Sequence, residues 1–170
     1  MANIMPADAG SNEGTVAWTQ VSGTSATITN STDHAQDGSK SLKVVSAATG
    51  TIKIETAFIT TSAGVSLSSH RYVGFASAGG IFVSAYYDFY QSGGTYISNS
   101  INDNNANANT SAWDHLLDTT VSPALTGKFK WGFQIDFTAS SQTVYFDAIT
   151  IDDGTASGTQ KHLLAFFPGF

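Results

Sequence analysis

The chain has no cysteine, a single arginine and only three prolines in 170 residues. Without thiols, neither disulfides nor thiolate metal sites are available. Charged residues make up 12% of the sequence, about half the usual share, and the formal balance is −6. An acidic chain with six lysines and one arginine argues against nucleic acid as a partner. No run approaches the roughly 18 apolar residues that a membrane span requires, so no membrane partner is expected. The opening Met1-Ala2-Asn3-Ile4 has neither the basic start nor the apolar core of a signal peptide. The expectation is a soluble protein that does not leave its cell by a standard N-terminal signal; a leader already removed is the competing explanation. Helical periodicity is wanting along the whole length. What is present is Ser, Thr, Asn, Gly and Ala in abundance with 12% aromatics, the composition of many short strands and polar turns. The length suits one domain with a real core.

Side chains alternate across a strand with a period of two. From Lys128 to Phe137, Phe129, Trp131, Phe133, Ile135 and Phe137 form an apolar face opposite Lys128, Lys130, Gln134 and Asp136. From Ile81 to Gln91, Ile81, Val83, Ala85, Tyr87 and Phe89 oppose Phe82, Ser84, Tyr86, Asp88 and Tyr90. Thr51 to Thr60 places Ile52, Ile54, Thr56 and Phe58 on one side. Late in the chain, Val144, Phe146 and Ala148 fall on one face, and Tyr145, Asp147 and Ile149 on the other. A carboxylate at Asp147 within so apolar a run needs a cation, a ring of donors or a sheet rim. Turn signals at Ser22-Gly23-Thr24, Asp37-Gly38-Ser39 and Ser92-Gly93-Gly94 punctuate further strands, Arg71 to Ala76 and Ala112 to Thr120 among them. Roughly ten strands predict an all-β fold, a two-sheet jelly-roll β-sandwich over residues 1–153. A flexible joint and an extended apolar C-terminal tail follow over residues 154–170.

Tyr86, Asp88 and Tyr90 have the chemistry of a sugar platform, rings flanked by polar groups, with Tyr96 and Trp113 as neighbours. The competing reading is ordinary strand surface above a core face. Catalysis finds less support. Glycoside hydrolysis wants two placed carboxylates, and the only glutamates are Glu13 and Glu55. His34, His70, His115 and His162 are scattered, with no metalloprotease or nucleophile-elbow motif. No enzyme is expected.

The tail carries Leu163, Leu164, Phe166, Phe167 and Phe170 within its last eight residues. Burying five such side chains is worth roughly 8–15 kcal/mol gross. Ordering the segment offsets most of that, at about 1–2 kcal/mol per residue. Left in water it would invite aggregation. These residues are expected to dock, on their own sandwich or, preferentially, on a partner surface.

Asn3-Ile4-Met5-Pro6, Asn12-Glu13-Gly14, Trp18, Asp37-Gly38-Ser39-Lys40-Ser41-Leu42-Lys43-Val44 and Val144-Tyr145-Phe146-Asp147 together resemble the carbohydrate-binding modules appended to xylanases and cellulases, which have a galactose-binding-like jelly roll. Similar modules occur in minor tail and other virion proteins of tailed phages infecting actinobacteria, and the opening asparagine-aliphatic-proline pattern is most similar to those. The resemblance covers residues 3–153 and departs from the family where Asn12-Glu13 replaces the usual Phe-Glu. It implies a structural Ca²⁺ held by Glu13, the Lys40 carbonyl and Asp147, oxygen ligands that suit a hard cation; the alternative is carboxylates satisfied by backbone N–H groups. It also implies a non-catalytic virion protein, a head-decoration or tail accessory subunit on the particle surface, made in the host cytoplasm. Other virion proteins, sister copies and a cell-surface glycan would be its partners. The alternative is a carbohydrate-binding module of a secreted polysaccharide-degrading system.

Overall fold

The computed structural model describes residues 2–76, 80–102 and 112–155. Eleven strands and one short helix make up these parts: α1 (Ala7–Ser11), β1 (Thr19–Gly23), β2 (Ala26–Ser31), β3 (Ser41–Ser46), β4 (Gly50–Glu55), β5 (Ile59–Thr60), β6 (Ser66–Phe75), β7 (Ile81–Tyr90), β8 (Tyr96–Asn102), β9 (Asp114–Val121), β10 (Lys128–Phe137) and β11 (Thr143–Asp152). Two antiparallel sheets result. One runs β1-β4-β10-β7-β8, with β5 paired to β10 off that path; the other runs β2-β3-β11-β6-β9. The all-β sandwich expected from alternation is the fold observed.

The core lies between the sheets and is lined by the apolar faces of β7 and β10 on one side. Leu42, Val44, Val73, Phe75, Val144 and Phe146 close it from the other. Phe133 and Phe146 stack across the gap with ring centroids 3.8 Å apart. Trp18, just before β1, packs on Phe133 at 5.4 Å and sits in the same core.

Three details depart from strict alternation. β11 pairs with β6 through a register shift between Asp147 and Thr150, and Ala148 has a φ of 46°. That bulge inserts one residue, so Ile149 and Ile151 rejoin Val144 and Phe146 in the core, and Ala148 leaves the face expected of it. Strand β4 stops at Glu55, so Phe58 lies beyond the alternating run and is 44% exposed. Helix α1 was not expected; Asn12 caps it in the left-handed region with φ 57°.

The ends of the described body meet. Ala2 N–H donates to the Thr155 carbonyl at 3.1 Å, and Asn3 forms an antiparallel bridge with Asp152. Asn3 Oδ1 also accepts from Ile151 N–H at 3.1 Å. The docking residues expected in the tail, Leu163, Leu164, Phe166, Phe167 and Phe170, lie outside the described residues.

Candidate functional site

Pairing register sets out the outer face of the β1-β4-β10-β7-β8 sheet row by row. Lys128 lies opposite Tyr90, and Tyr90 opposite Tyr96. The next row holds Lys130, Asp88 and Asn99, and the one after it Glu55, Gly132, Tyr86 and Ile101. Lys53, Gln134 and Ser84 follow. Four of the five residues expected to bind sugar, Tyr86, Asp88, Tyr90 and Tyr96, are therefore neighbours on one face, with Phe58 closing the end.

The rings make an exposed chain at that end. Phe58 meets Tyr90 edge-on at 5.0 Å and 90°, and Tyr90 meets Tyr96 at 5.5 Å and 74°. Tyr96 is 52% exposed. The Lys128 and Lys130 ammonium groups stand 4.3 and 5.1 Å from the Phe58 centroid, within cation–π range.

Tyr86 does not share that exposure. Its side chain is 1% exposed, which corrects its expected role as a stacking platform. The reason is Gly132: a Cβ there would come within 2.7 Å of the Tyr86 ring, so the missing side chain lets the ring lie across β10. The Tyr86 hydroxyl, 3.3 Å from the Ile54 carbonyl and 3.4 Å from Glu55 Oε2, donates toward both, and Lys53 Nζ covers the ring at 5.0 Å. Burial pushes the Tyr86 hydroxyl far above its ordinary pKa, with the Glu55 charge adding to the rise. Tyr86 is a floor tile of the site.

Glu55 is buried, with Oε1 in an ion pair with Lys130 and Oε2 near the Tyr86 hydroxyl. Burial holds the Asp88 carboxyl above its ordinary pKa; Lys53 and Lys130 oppose that shift and Glu55 reinforces it. Burial, with Asp88 behind it, likewise raises the Tyr90 hydroxyl. The face thus offers ring surfaces, the half-buried Asp88 carboxylate to accept and three ammonium groups to donate, which is the chemistry that grips a polyol. Glu55, Lys53, Lys128, Lys130 and Phe58 escaped the sequence reading as site residues. The polar faces of β4 and β10 were legible, but not that β10 lies between β4 and β7.

Trp113 is elsewhere, which corrects its placement beside Tyr90. It immediately precedes β9 of the other sheet and stacks on His34 at 4.6 Å and 9°. Both rings stand over Gly74, where a Cβ would meet each at about 3.1 Å.

The residues expected to hold calcium come together at one end of the sandwich. Glu13 and Asp147 line a pocket of about 80 Å³ with Asp37. Glu13 Oε1 accepts from Ser39 N–H at 2.6 Å and Lys40 N–H at 2.8 Å, and Oε2 accepts from Ser39 Oγ at 2.6 Å. The Ser39 hydroxyl, then its N–H and that of Lys40, hold the Glu13 carboxyl below its usual pKa. Lys40 Nζ donates to the Glu13 carbonyl at 3.0 Å. Asp147 Oδ2 accepts from Gln36 and Asp37 N–H at 2.7 and 3.0 Å, and Oδ1 from Ala148 N–H at 2.8 Å. Burial raises the Asp147 carboxyl, and those N–H donors oppose it. The oxygens fit Ca²⁺ in kind. Among the described residues no group of three acid or histidine side chains is gathered to hold one ion, so the set rests on the two carboxylates and one carbonyl that the resemblance names. Asn12, where the resemblance expects an aromatic ring, is buried: its Nδ2 donates to the Phe146 carbonyl at 3.2 Å, and its Oδ1 accepts from Trp18 Nε1 at 3.3 Å.

With this geometry in place, solved structures of the same shape can be compared. The enzymatically active domain of tailspike protein 4 from bacteriophage CBA120 has a TM-score of 0.67 and 13% identity, over 88% of this chain and 21% of that one. A family 16 carbohydrate-binding module has a TM-score of 0.63 and 14% identity, over 89% of this chain and 99% of that one. The fold is the two-sheet jelly-roll β-sandwich that this module also has. A xylan-binding domain from Paenibacillus barcinonensis repeats that jelly roll with a TM-score of 0.59 and 15% identity, over 85% of this chain and 91% of that one. The chain thus spans the whole of some jelly-roll modules but about a fifth of the tailspike chain. No protein-family model and no curated protein matches the sequence.

Proposed function

We propose that this jelly roll binds a glycan, without turning it over, on the outer face of the β1-β4-β10-β7-β8 sheet. The observation that carries the reading is the ring chain Phe58–Tyr90–Tyr96, exposed at both ends, beside the half-buried Asp88 and the Lys53 and Lys130 ammonium groups, the latter paired with Glu55. Sugar C–H faces lie on rings while hydroxyls exchange hydrogen bonds with the flanking charges. The likeness to carbohydrate-binding modules supports it at the level of fold, and fold alone assigns no ligand. Affinity electrophoresis through immobilised polysaccharides tests it. Retardation by at least one glycan, lost in Tyr90→Ala, is expected; no retardation by any panel member overturns the reading.

The second reading places such a module on the exterior of a tailed-phage particle, as a decoration or tail accessory subunit. The phage tailspike among the similar structures and the apolar residues from Leu163 to Phe170 favour it. Docking of that tail on capsid, tail or sister subunits makes deletion of residues 162–170 the test. Unaltered particle binding and self-association in the truncated protein would count against it. Calcium between Glu13, the Lys40 carbonyl and Asp147 belongs to the same resemblance, supported by the pocket the two carboxylates share. A melting temperature that falls on chelation assigns the ion; an unchanged one leaves the N–H cradle as the whole site.

A further inference from the structure

The cations of this chain are unevenly placed. Of seven Lys and Arg side chains in a protein of formal charge −6, three lie on the outer face described above: Lys53, Lys128 and Lys130. Arg71 is buried in an ion pair, Lys43 is paired with Asp33, and Lys40 is held by the Glu13 carbonyl. Lys128 differs from these. It makes no ion pair among the described residues, its ammonium stands 4.3 Å from the Phe58 centroid, and it borders the Ser92-Gly93-Gly94 turn. Lys130 approaches the same ring at 5.1 Å while its charge is answered by Glu55. Two ammonium groups therefore converge on one exposed ring at the end of that face. The carboxylates facing them are Glu55, already paired, and the half-buried Asp88.

We propose that the aromatic end of this face selects an anionic glycan, a uronic-acid or similarly carboxylated sugar whose ring lies on Tyr90 and Tyr96 while its carboxylate meets the Lys128 ammonium. This rests on the glycan reading above and narrows its ligand class. A carboxylate placed against an ammonium at a ring face forms a charge-assisted hydrogen bond that a neutral sugar cannot supply. The acidic remainder of the chain repels polyanions at long range, so the preference is local and salt-sensitive.

The experiment compares polygalacturonate and alginate with galactan and neutral xylan, at low and at about 0.5 M salt, for the full chain and for Lys128→Met. Methionine keeps the stem over Phe58 and removes only the charge. Expected are at least tenfold tighter binding of an acidic glycan at low salt, most of that margin lost in salt, and a comparable loss in Lys128→Met, with neutral-glycan binding falling far less than acidic-glycan binding. Equal binding of acidic and neutral chains, or a Lys128→Met protein that keeps the full preference, overturns the proposal while the glycan reading stands. Absence of binding to all four polymers overturns both.

Discussion

Arg71 Nη1 donates to Asp118 Oδ2 inside the sandwich, where the guanidinium is 0% exposed. Burial pulls the guanidinium below its ordinary pKa, opposed by the Asp118 charge, and the Arg71 plane lies 6.0 Å from the Phe133 ring. Its Nε and Nη2 have no hydrogen-bond partner among the described residues. Such a pair is costly to break and cheap to replace. Arg71→Ala alone or Asp118→Ala alone is expected to cost about 3–5 kcal/mol, by leaving one buried charge without its counterion. The double replacement Arg71→Met with Asp118→Leu is expected to recover most of that loss, and urea unfolding of the three variants measures it.

Asp88 yields a prediction with a sign. Its folded pKa is raised, with burial the first cause, so the stability linked to this group is full below its unfolded pKa and is lost as pH rises through the folded one. Asp88→Asn is therefore expected to melt higher than wild type near neutral pH, with the difference vanishing in acid. The same variant loses an acceptor on the binding face, so glycan affinity should fall while stability rises.

Glu13 runs the other way. Its donors depress the carboxyl, so its contribution is present above the unfolded pKa, near 4.5, and is lost as pH falls through the folded value. Glu13→Gln should lower the melting temperature at neutral pH and match wild type at the acid end. Thermal melts across pH, repeated with a chelator, measure this and the calcium question together.

Gly132 is the position at which a single methyl group should damage the site. A Cβ there would stand 2.2 Å from the Ile54 carbonyl oxygen, a backbone atom that cannot step aside, and 2.7 Å from the Tyr86 ring. Gly132→Ala is expected to destabilise by about 1–3 kcal/mol through overpacking and to abolish glycan retardation by displacing Tyr86 from Glu55. Tyr86→Phe tests the second half separately, because it keeps the ring and removes only the hydroxyl.

Truncating Tyr90 or Tyr96 to Ala should weaken binding about 10- to 100-fold, the loss of roughly 1–3 kcal/mol of ring contact. Trp113→Ala, on the other sheet, should leave retardation unchanged. Titration calorimetry of the three variants separates these cases.

Much of this architecture could be read from the chain because burial in a sandwich repeats every second residue. Phe129 to Phe137 and Ile81 to Phe89 declare their inward faces locally, and both faces are as expected. Apart from the short helix α1, the failures are non-local. The Ala148 bulge shifts Ile149 into the core, and nothing in the local pattern marks it. Arg71, at the start of a segment expected only as a strand, is tolerated inside because Asp118 comes to it from a neighbouring strand. Tyr86 and Tyr90 look equivalent four residues apart, yet Gly132 on the adjacent strand buries one and leaves the other in reach of solvent. Trp113 is assigned to a face only once the strand order is known.

The closure of Ala2 onto Thr155, reinforced by Asn3 against Asp152, brings both leads of the sandwich out through one doorway. A body so wired can be spliced into the loop of a larger host with little change to the host's own path, or have its old ends fused and new ones opened in a surface turn such as Ser92-Gly93-Gly94. The aromatic face would then travel intact from scaffold to scaffold.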